Sequence, residues 1–190
     1  MYSMTLDLIN TKQGYVGPTF SRRNRIRRAL WWFVWNSFAR WTPPPMHKWR
    51  IFLLNLFGAR VSSRAYVYQD VQIWAPWNLV MDEYSTLARG VRCYNICEIS
   101  VGAKAVVSQY THLCTASHDY RDAAFPLFAK PIAIGVRAWV CSGAFVGPGV
   151  SVGEGAILSA QSVAYKDLEA WTIYRGNPAV EISKRPVIHD

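Results

Sequence analysis

One segment of the chain gathers residues able to move a proton. Between Leu113 and Ile134 runs Cys114-Thr-Ala-Ser-His118-Asp119-Tyr-Arg121-Asp122-Ala-Ala-Phe125-Pro126-Leu-Phe-Ala-Lys130-Pro131. Imidazole titrates near neutrality, so His118 suits a general base that takes the proton of an alcohol as its oxygen attacks. Asp119 offers either an orienting carboxylate or the first residue of a turn. A histidine after a turn is often merely solvated. This one stands at the head of a long interruption in an otherwise periodic chain, and loops on rigid scaffolds commonly carry function. A zinc site would need three histidines. The chain has His47, His112, His118 and His189. His112 and His118 are six apart, but no third ligand stands near them, and no metal is expected. Cys93, Cys97, Cys114 and Cys141 lack metal-ligand spacing and read as reduced thiols in a cytosolic setting.

The interruption breaks a period of six. Ile134, Val140, Val146, Val152 and Leu158 are six apart, and Ala138, Ala144, Val150, Ala156 and Ser162 follow each by four. Gly135, Gly147 and Gly153 come directly after three of them. Neither a helix nor an alternating strand has this period. A parallel β-helix does: each hexad supplies a short flat strand and a corner, the aliphatic residue points inward, and glycine relieves crowding at the turn. Upstream, Val61, Val67, Ile73 and Leu79 hold one register, Met81, Leu87, Cys93 and Ile99 another, and Val101, Val107 and Leu113 a third. Breaks fall near 79–81, near 99–101 and at the loop 114–131. The span predicts roughly four to five coils of three hexads.

A chain of 190 residues builds one main domain with an appendage. The expected division is a helical N-terminal appendage at 1–57, a coil domain at 58–175 and a tail at 176–190. Charge divides the same way. Residues 1–60 hold ten Lys/Arg and one acid, Asp7, so the whole excess of +9 belongs to them. The same third holds Trp31, Trp32, Trp35, Trp41 and Trp49. Ser21 is a candidate N-cap, Ile26, Leu30, Phe33, Val34, Phe38 and Trp41 follow at helical spacing, and Pro43-Pro44-Pro45 stops that helix. A second apolar stretch, Trp49 to Phe57, ends at Gly58, a C-cap. Only eleven uncharged residues separate Arg28 from Arg40, too few to cross a bilayer as a helix. The Met1–Asp7 segment has no signal-peptide pattern. Two readings of residues 20–57 stand together: a cap on the open end of the coil stack, and peripheral contact with an anionic membrane at its inner face. No nucleic-acid-binding motif is present, and nucleic acid is not expected as a partner.

Several strings carry a resemblance: Ser-His118-Asp-Tyr, Phe-Pro126-Leu, Pro131-Ile-Ala-Ile-Gly135, Ala138-Trp139-Val, Gly-Ala-Phe-Val-Gly-Pro-Gly149, Lys166-Asp167, Arg-Gly176-Asn177-Pro178 and Leu56-Phe-Gly58-Ala. Together, over about residues 20–185, they resemble the left-handed β-helix hexapeptide acyltransferases, and within them the O-acetyltransferases of colanic-acid-type exopolysaccharide biosynthesis. The resemblance implies acetyl-CoA as co-substrate, a saccharide acceptor (lipid-linked, nucleotide-linked or exopolysaccharide precursor), and a homotrimer with active sites between neighbouring coils. By it, His118 is the catalytic base. The backbone N–H of Ser142 or Gly143 stabilises the oxyanion, Trp139, Ser142, Gly143, Ala160 and Lys166 line the coenzyme groove, and Asn95 and Asp119 lie on the acceptor side.

The residues alone leave plainer roles open. Trp139 could pack against a neighbouring subunit, Lys166 could be an ordinary solvated lysine, and Asn95 could close a turn. The chain departs from the family pattern where Asp82 and Ala88 replace glycines, at Cys141, and at Gln161 and Tyr165 beside the coenzyme groove. Rival functions on the same scaffold are serine-type or other small-molecule O-acetyl transfer, for which the appendage is short, and a non-catalytic coil protein.

Overall fold

A computed structural model describes residues 19–188; the Met1–Asp7 reading and His189 lie outside them. Three parallel sheets form the sides of a prism. Face one stacks Arg60–Val61, Leu79–Met81, Ile99–Val101, Ile132–Ile134 and Ser151–Val152. Face two stacks Tyr66–Val67, Thr86–Leu87, Val106–Val107, Trp139–Val140, Ile157–Leu158 and Thr172–Gly176. Face three stacks Gln72–Ile73, Arg92–Tyr94, His112–Cys114, Phe145–Val146 and Val163–Ala164.

Five coils are complete, and Leu168, bridged to Val152, begins a sixth. That is more than the hexad count suggested, because Leu168 follows the inward Ala164 by only four residues and so takes the last turn, Leu168 and Tyr174, out of register. The predicted inward residues are buried, and so are their small partners Ala138, Ala144, Val150, Ala156 and Ser162. Cys93 fills an inward site of face three, where burial pushes its thiol up to about 12 and leaves it inert.

All three register breaks occur at one corner. The inward ladder steps from Ile73 to Met81, from Cys93 to Val101 and from Leu113 to Ile134, always between face three and face one. The long excursion is therefore the largest of three stacked insertions, held from below by the smaller two.

Glycine after an inward residue answers inter-coil distance. A Cβ on Gly135 would sit 2.7 Å from the Glu154 backbone N and 2.8 Å from the Gly153 carbonyl carbon. Both are backbone atoms, so no side chain can swing away. Gly135→Ala is expected to lower stability by about 1–3 kcal/mol, seen as a lower denaturant midpoint.

The N-terminal cap comprises α1 (Arg22–Val34), a π-helical turn at Trp35–Ala39, and α2 (His47–Leu56). The Ser21 side chain accepts from the Asn24 N–H at 3.0 Å, and the proline run lies in the link between helices. Gly58, at φ +91°, follows the end of α2. The cap meets all three open strand edges of the first coil. Asn55 pairs with both backbone groups of Val61, at 2.9 Å each. Val67 O accepts from Arg50 Nε at 2.7 Å and from His47 Nδ1 at 2.9 Å. Ile73 O accepts from Trp31 Nε1 at 2.7 Å. Each bond blocks a ladder position that a further strand would use.

The C-terminal segment is more ordered than a tail. Ala179–Lys184 turns back at Gly176-Asn177-Pro178 and pairs antiparallel with Thr172–Gly176. Among the described residues no helix is long and apolar enough to cross a membrane.

Candidate active site

The excursion is an antiparallel hairpin. Ala116–His118 pairs with Leu127–Ala129, with His118 opposite Leu127. Its base is tied down by Thr115, which is fully buried. The Thr115 hydroxyl accepts from the Cys97 N–H at 3.1 Å and donates to Tyr94 O at 2.8 Å, and Lys130 N–H donates to Thr115 O. Two aspartates build the tip: Asp119 Oδ1 accepts from Arg121 N–H, and Asp122 Oδ1 from Ala124 N–H. Asp119 thus begins the turn, and it is not the group that orients His118.

Phe125 orients it. His118 Nδ1 lies 2.9 Å from the Phe125 carbonyl oxygen, and the two rings stack with centroids 4.4 Å apart at 8°. A carbonyl can only accept, so Nδ1 carries the proton and Nε2 keeps its lone pair. His118 is exposed, and that nitrogen is free to act as a base. Phe125 pays a conformational penalty to do this, with φ at +47° just before a proline. Phe125→Ala is expected to lower kcat roughly ten- to a hundredfold by loosening the imidazole, with the KM for the acyl donor unchanged. Steady-state kinetics would check this.

Asn95 is corrected by its surroundings. Its side chain is fully buried. Oδ1 accepts from Ala75 N–H at 2.9 Å and Nδ2 donates to Ala75 O at 2.6 Å, so it clamps the stacked corner beneath the hairpin and presents nothing to a sugar.

Ser142, Gly143 and Ala160 share the corner between faces two and three. Gly143 N–H donates to Gln109 O at 2.8 Å, and Ser142 Oγ donates to the same carbonyl at 3.0 Å. Gly143 is therefore not a free oxyanion donor. The Ser142 N–H is left without a protein acceptor among the described residues. Gly143 takes φ +68°, which a side chain disfavours, and a Cβ there would come within 2.8 Å of Gln161 Nε2. Gln161 N–H donates to Ser142 O at 3.0 Å, which places exposed Ala160 directly above the donor. Burial raises the neighbouring Cys141 thiol, so it stays protonated there.

Trp139 points outward from face two, 45% exposed, with its indole N–H on Ser108 Oγ at 2.9 Å. Lys166 stands exposed on the corner between faces three and one, beside Asp167, whose Oδ1 accepts from the Ser151 N–H. Within one chain His118 and Ser142 occupy different corners of the prism. Among the described residues no group of three or more His, Cys, Asp or Glu side chains gathers as metal ligands would.

Comparison with known proteins decides the family. The chain is 40% identical over 166 residues to the colanic acid biosynthesis acetyltransferase WcaF of Escherichia coli (strain K12), spanning 87% of this chain and 91% of that one. It belongs to the hexapeptide-repeat acetyltransferases. No family model matches the chain. A maltose O-acetyltransferase from Clostridium difficile 630 shares the fold of this acetyltransferase with a TM-score of 0.78 at 21% identity, covering 88% of this chain and 90% of that one. A hexapeptide-repeat acetyltransferase from Vibrio cholerae, solved with acetyl coenzyme A, also gives 0.78, at 20% identity over 93% and 97%.

One residue of the candidate site, Phe125, went unread in the sequence although it contacts His118 through both its carbonyl and its ring. Its only trace was the Phe-Pro pair, which signals neither a left-handed backbone nor a ring stacked on His118.

Proposed function

We propose that this acetyltransferase moves an acetyl group from acetyl-CoA to a hydroxyl of a saccharide. The observation that carries the reading is His118, with Nδ1 protonated toward the Phe125 carbonyl and Nε2 open. Nε2 takes the hydroxyl proton as the sugar oxygen attacks the thioester carbonyl. The Ser142 N–H donates to the developing oxyanion. Collapse breaks the carbon–sulfur bond, and the imidazolium returns its proton to the departing thiolate. Trp139 offers a flat wall to the coenzyme, Ala160 and Gly143 leave room along the corner, and Lys166 supplies positive charge for phosphate.

The reaction needs His118 and Ser142 on one carbonyl, and in one chain they stand at separate corners. A homotrimer in which the hairpin of one copy meets the Ser142 corner of the next removes that conflict. The exposed aromatic face of the cap supports peripheral contact with an anionic membrane: Trp32, Phe33, Phe38 and Trp41 are 68%, 57%, 52% and 82% exposed.

The deciding experiment incubates the protein with labelled acetyl-CoA and a panel of nucleotide-linked, lipid-linked and free saccharides, followed by mass spectrometry. Acetyl ester on a sugar is the expected product. Transfer only to serine, or hydrolysis without transfer to any acceptor, overturns the reading.

A further inference from the structure

A cavity of about 1090 Å³ separates α1 and the π-helical turn from the outer side of face three. That volume slightly exceeds the usual range of small-molecule sites, about 300–1,000 Å³. Its walls are aromatic: Trp31, Trp32, Trp35, Trp74 and Tyr94. Its charged lining is lopsided, with Arg25, Arg28, Arg40 and Arg92 against the single acid Asp70, which reaches Arg89 at 3.5 Å. Among the described residues neither Arg25 nor Arg92 meets a carboxylate. Arg28 is held over the Trp74 ring at 4.2 Å, with its Nε on Asn24 Oδ1.

The arrangement is unfavourable for the protein by itself. Arg22, Arg23 and Arg25 sit in the first turn of α1, which has no acid, so they oppose the helix dipole. Burial lowers the Arg28 pKa, with Arg25 adding to it, and burial, with Arg92 adding to it, lowers that of His112. Two lining residues, Gln69 and Asp70, each hold a buried oxygen, Oε1 and Oδ1, without a donor among the described residues. A ligand bringing negative charge would relieve the first strain, and one bringing hydroxyls would supply donors for the second.

We propose that this cleft, resting on the saccharide O-acetyltransferase reading, receives a saccharide carried on a lipid diphosphate. Guanidinium groups match phosphate oxygens in pairs, and the indole walls suit the apolar faces of sugar rings. The lipid follows from the mouth of the cleft. Trp32 both lines it and belongs to the exposed apolar face with Phe33, Phe38 and Trp41. A hydrocarbon chain leaving the diphosphate enters apolar surface there, whereas a nucleoside would meet it with polar groups. The inner wall includes Cys114 on the strand that leads into the catalytic hairpin, so the saccharide end faces the base of that hairpin.

The test measures binding of the full chain to phosphatidylcholine vesicles containing undecaprenyl diphosphate, to vesicles matched in charge with phosphatidylglycerol, and to soluble UDP-glucose. Diphosphate vesicles are expected to bind at least tenfold more tightly than charge-matched ones. Arg25→Gln with Arg92→Gln should bring that preference within twofold. Arg22→Gln with Arg23→Gln, which removes equal charge outside the cavity, should preserve it. Equal binding to both vesicles, a preference that survives the first pair, or UDP-glucose binding abolished by that pair without any lipid preference would overturn the proposal. Acetyl-CoA titration of the same proteins separates the two readings: failure to bind it removes the transferase reading, whatever the vesicles show.

Discussion

His118→Ala is expected to lower kcat by about 10²–10⁴-fold, the usual contribution of a positioned proton acceptor. The side chain is exposed and packs on the Phe125 ring, so its removal leaves no buried cavity and the fold should survive. Melting temperature and the KM for acetyl-CoA should stay near those of the unaltered protein, while kcat and kcat/KM fall together. That pattern marks an interaction made in the transition state. A change below threefold would mean that proton removal is done elsewhere, and the catalytic assignment would fail with it.

The second large effect concerns stability. Arg50 is fully buried in the cap, and every identified acceptor of its guanidinium is uncharged: Val67 O at 2.7 Å, Thr42 Oγ1 at 2.7 Å, Pro43 O at 3.0 Å and Pro44 O. Burial lowers its pKa, with Tyr68 opposing, yet an arginine remains charged. Arg50→Leu keeps apolar bulk but takes a donor from buried Val67 O and from Pro43 O and Pro44 O, whose residues are exposed and can turn to water. An unsatisfied buried group is worth about 1–3 kcal/mol, and Val67 O retains His47. A loss of about 1–2 kcal/mol is therefore expected, or roughly 2–8 °C in Tm for a domain of this size. Calorimetry would measure it, and a shift under 2 °C would show that the proline link holds the cap without Arg50.

How much of this was legible in the sequence depended on whether the cause was periodic. The inward residues from Val61 to Leu158 could be read because one side chain in six meets the prism axis, and burial selects it by type. Val152 and Leu158 mark their faces without help from the rest of the chain. The sixth turn was missed because Leu168 and Tyr174 reach the axis after a shortened corner. His118 stood out because the period fails around it. Its orienting partner did not, since stacking by Phe125 depends on a backbone angle that residue type disfavours. Asn95 misled for the opposite reason: a polar residue at a corner suggests a ligand, and only the stacked backbone at Ala75 shows what engages it. The buried arginine of the cap was similarly hidden among basic residues most of which are exposed.

The sealed ladders at Val61, Val67 and Ile73 have a bearing on any shortened version of the protein. Stripped of α1 and α2, the first coil would present three unpaired strands in one plane, with the geometry of every other coil in the stack. Such a surface is a template for a second copy, so truncated chains should polymerise end to end or fall out of solution, and their loss of membrane binding would say nothing about lipid. Point changes on the outer helical face, such as Trp41→Ser, ask the lipid question while the lid on the stack stays shut.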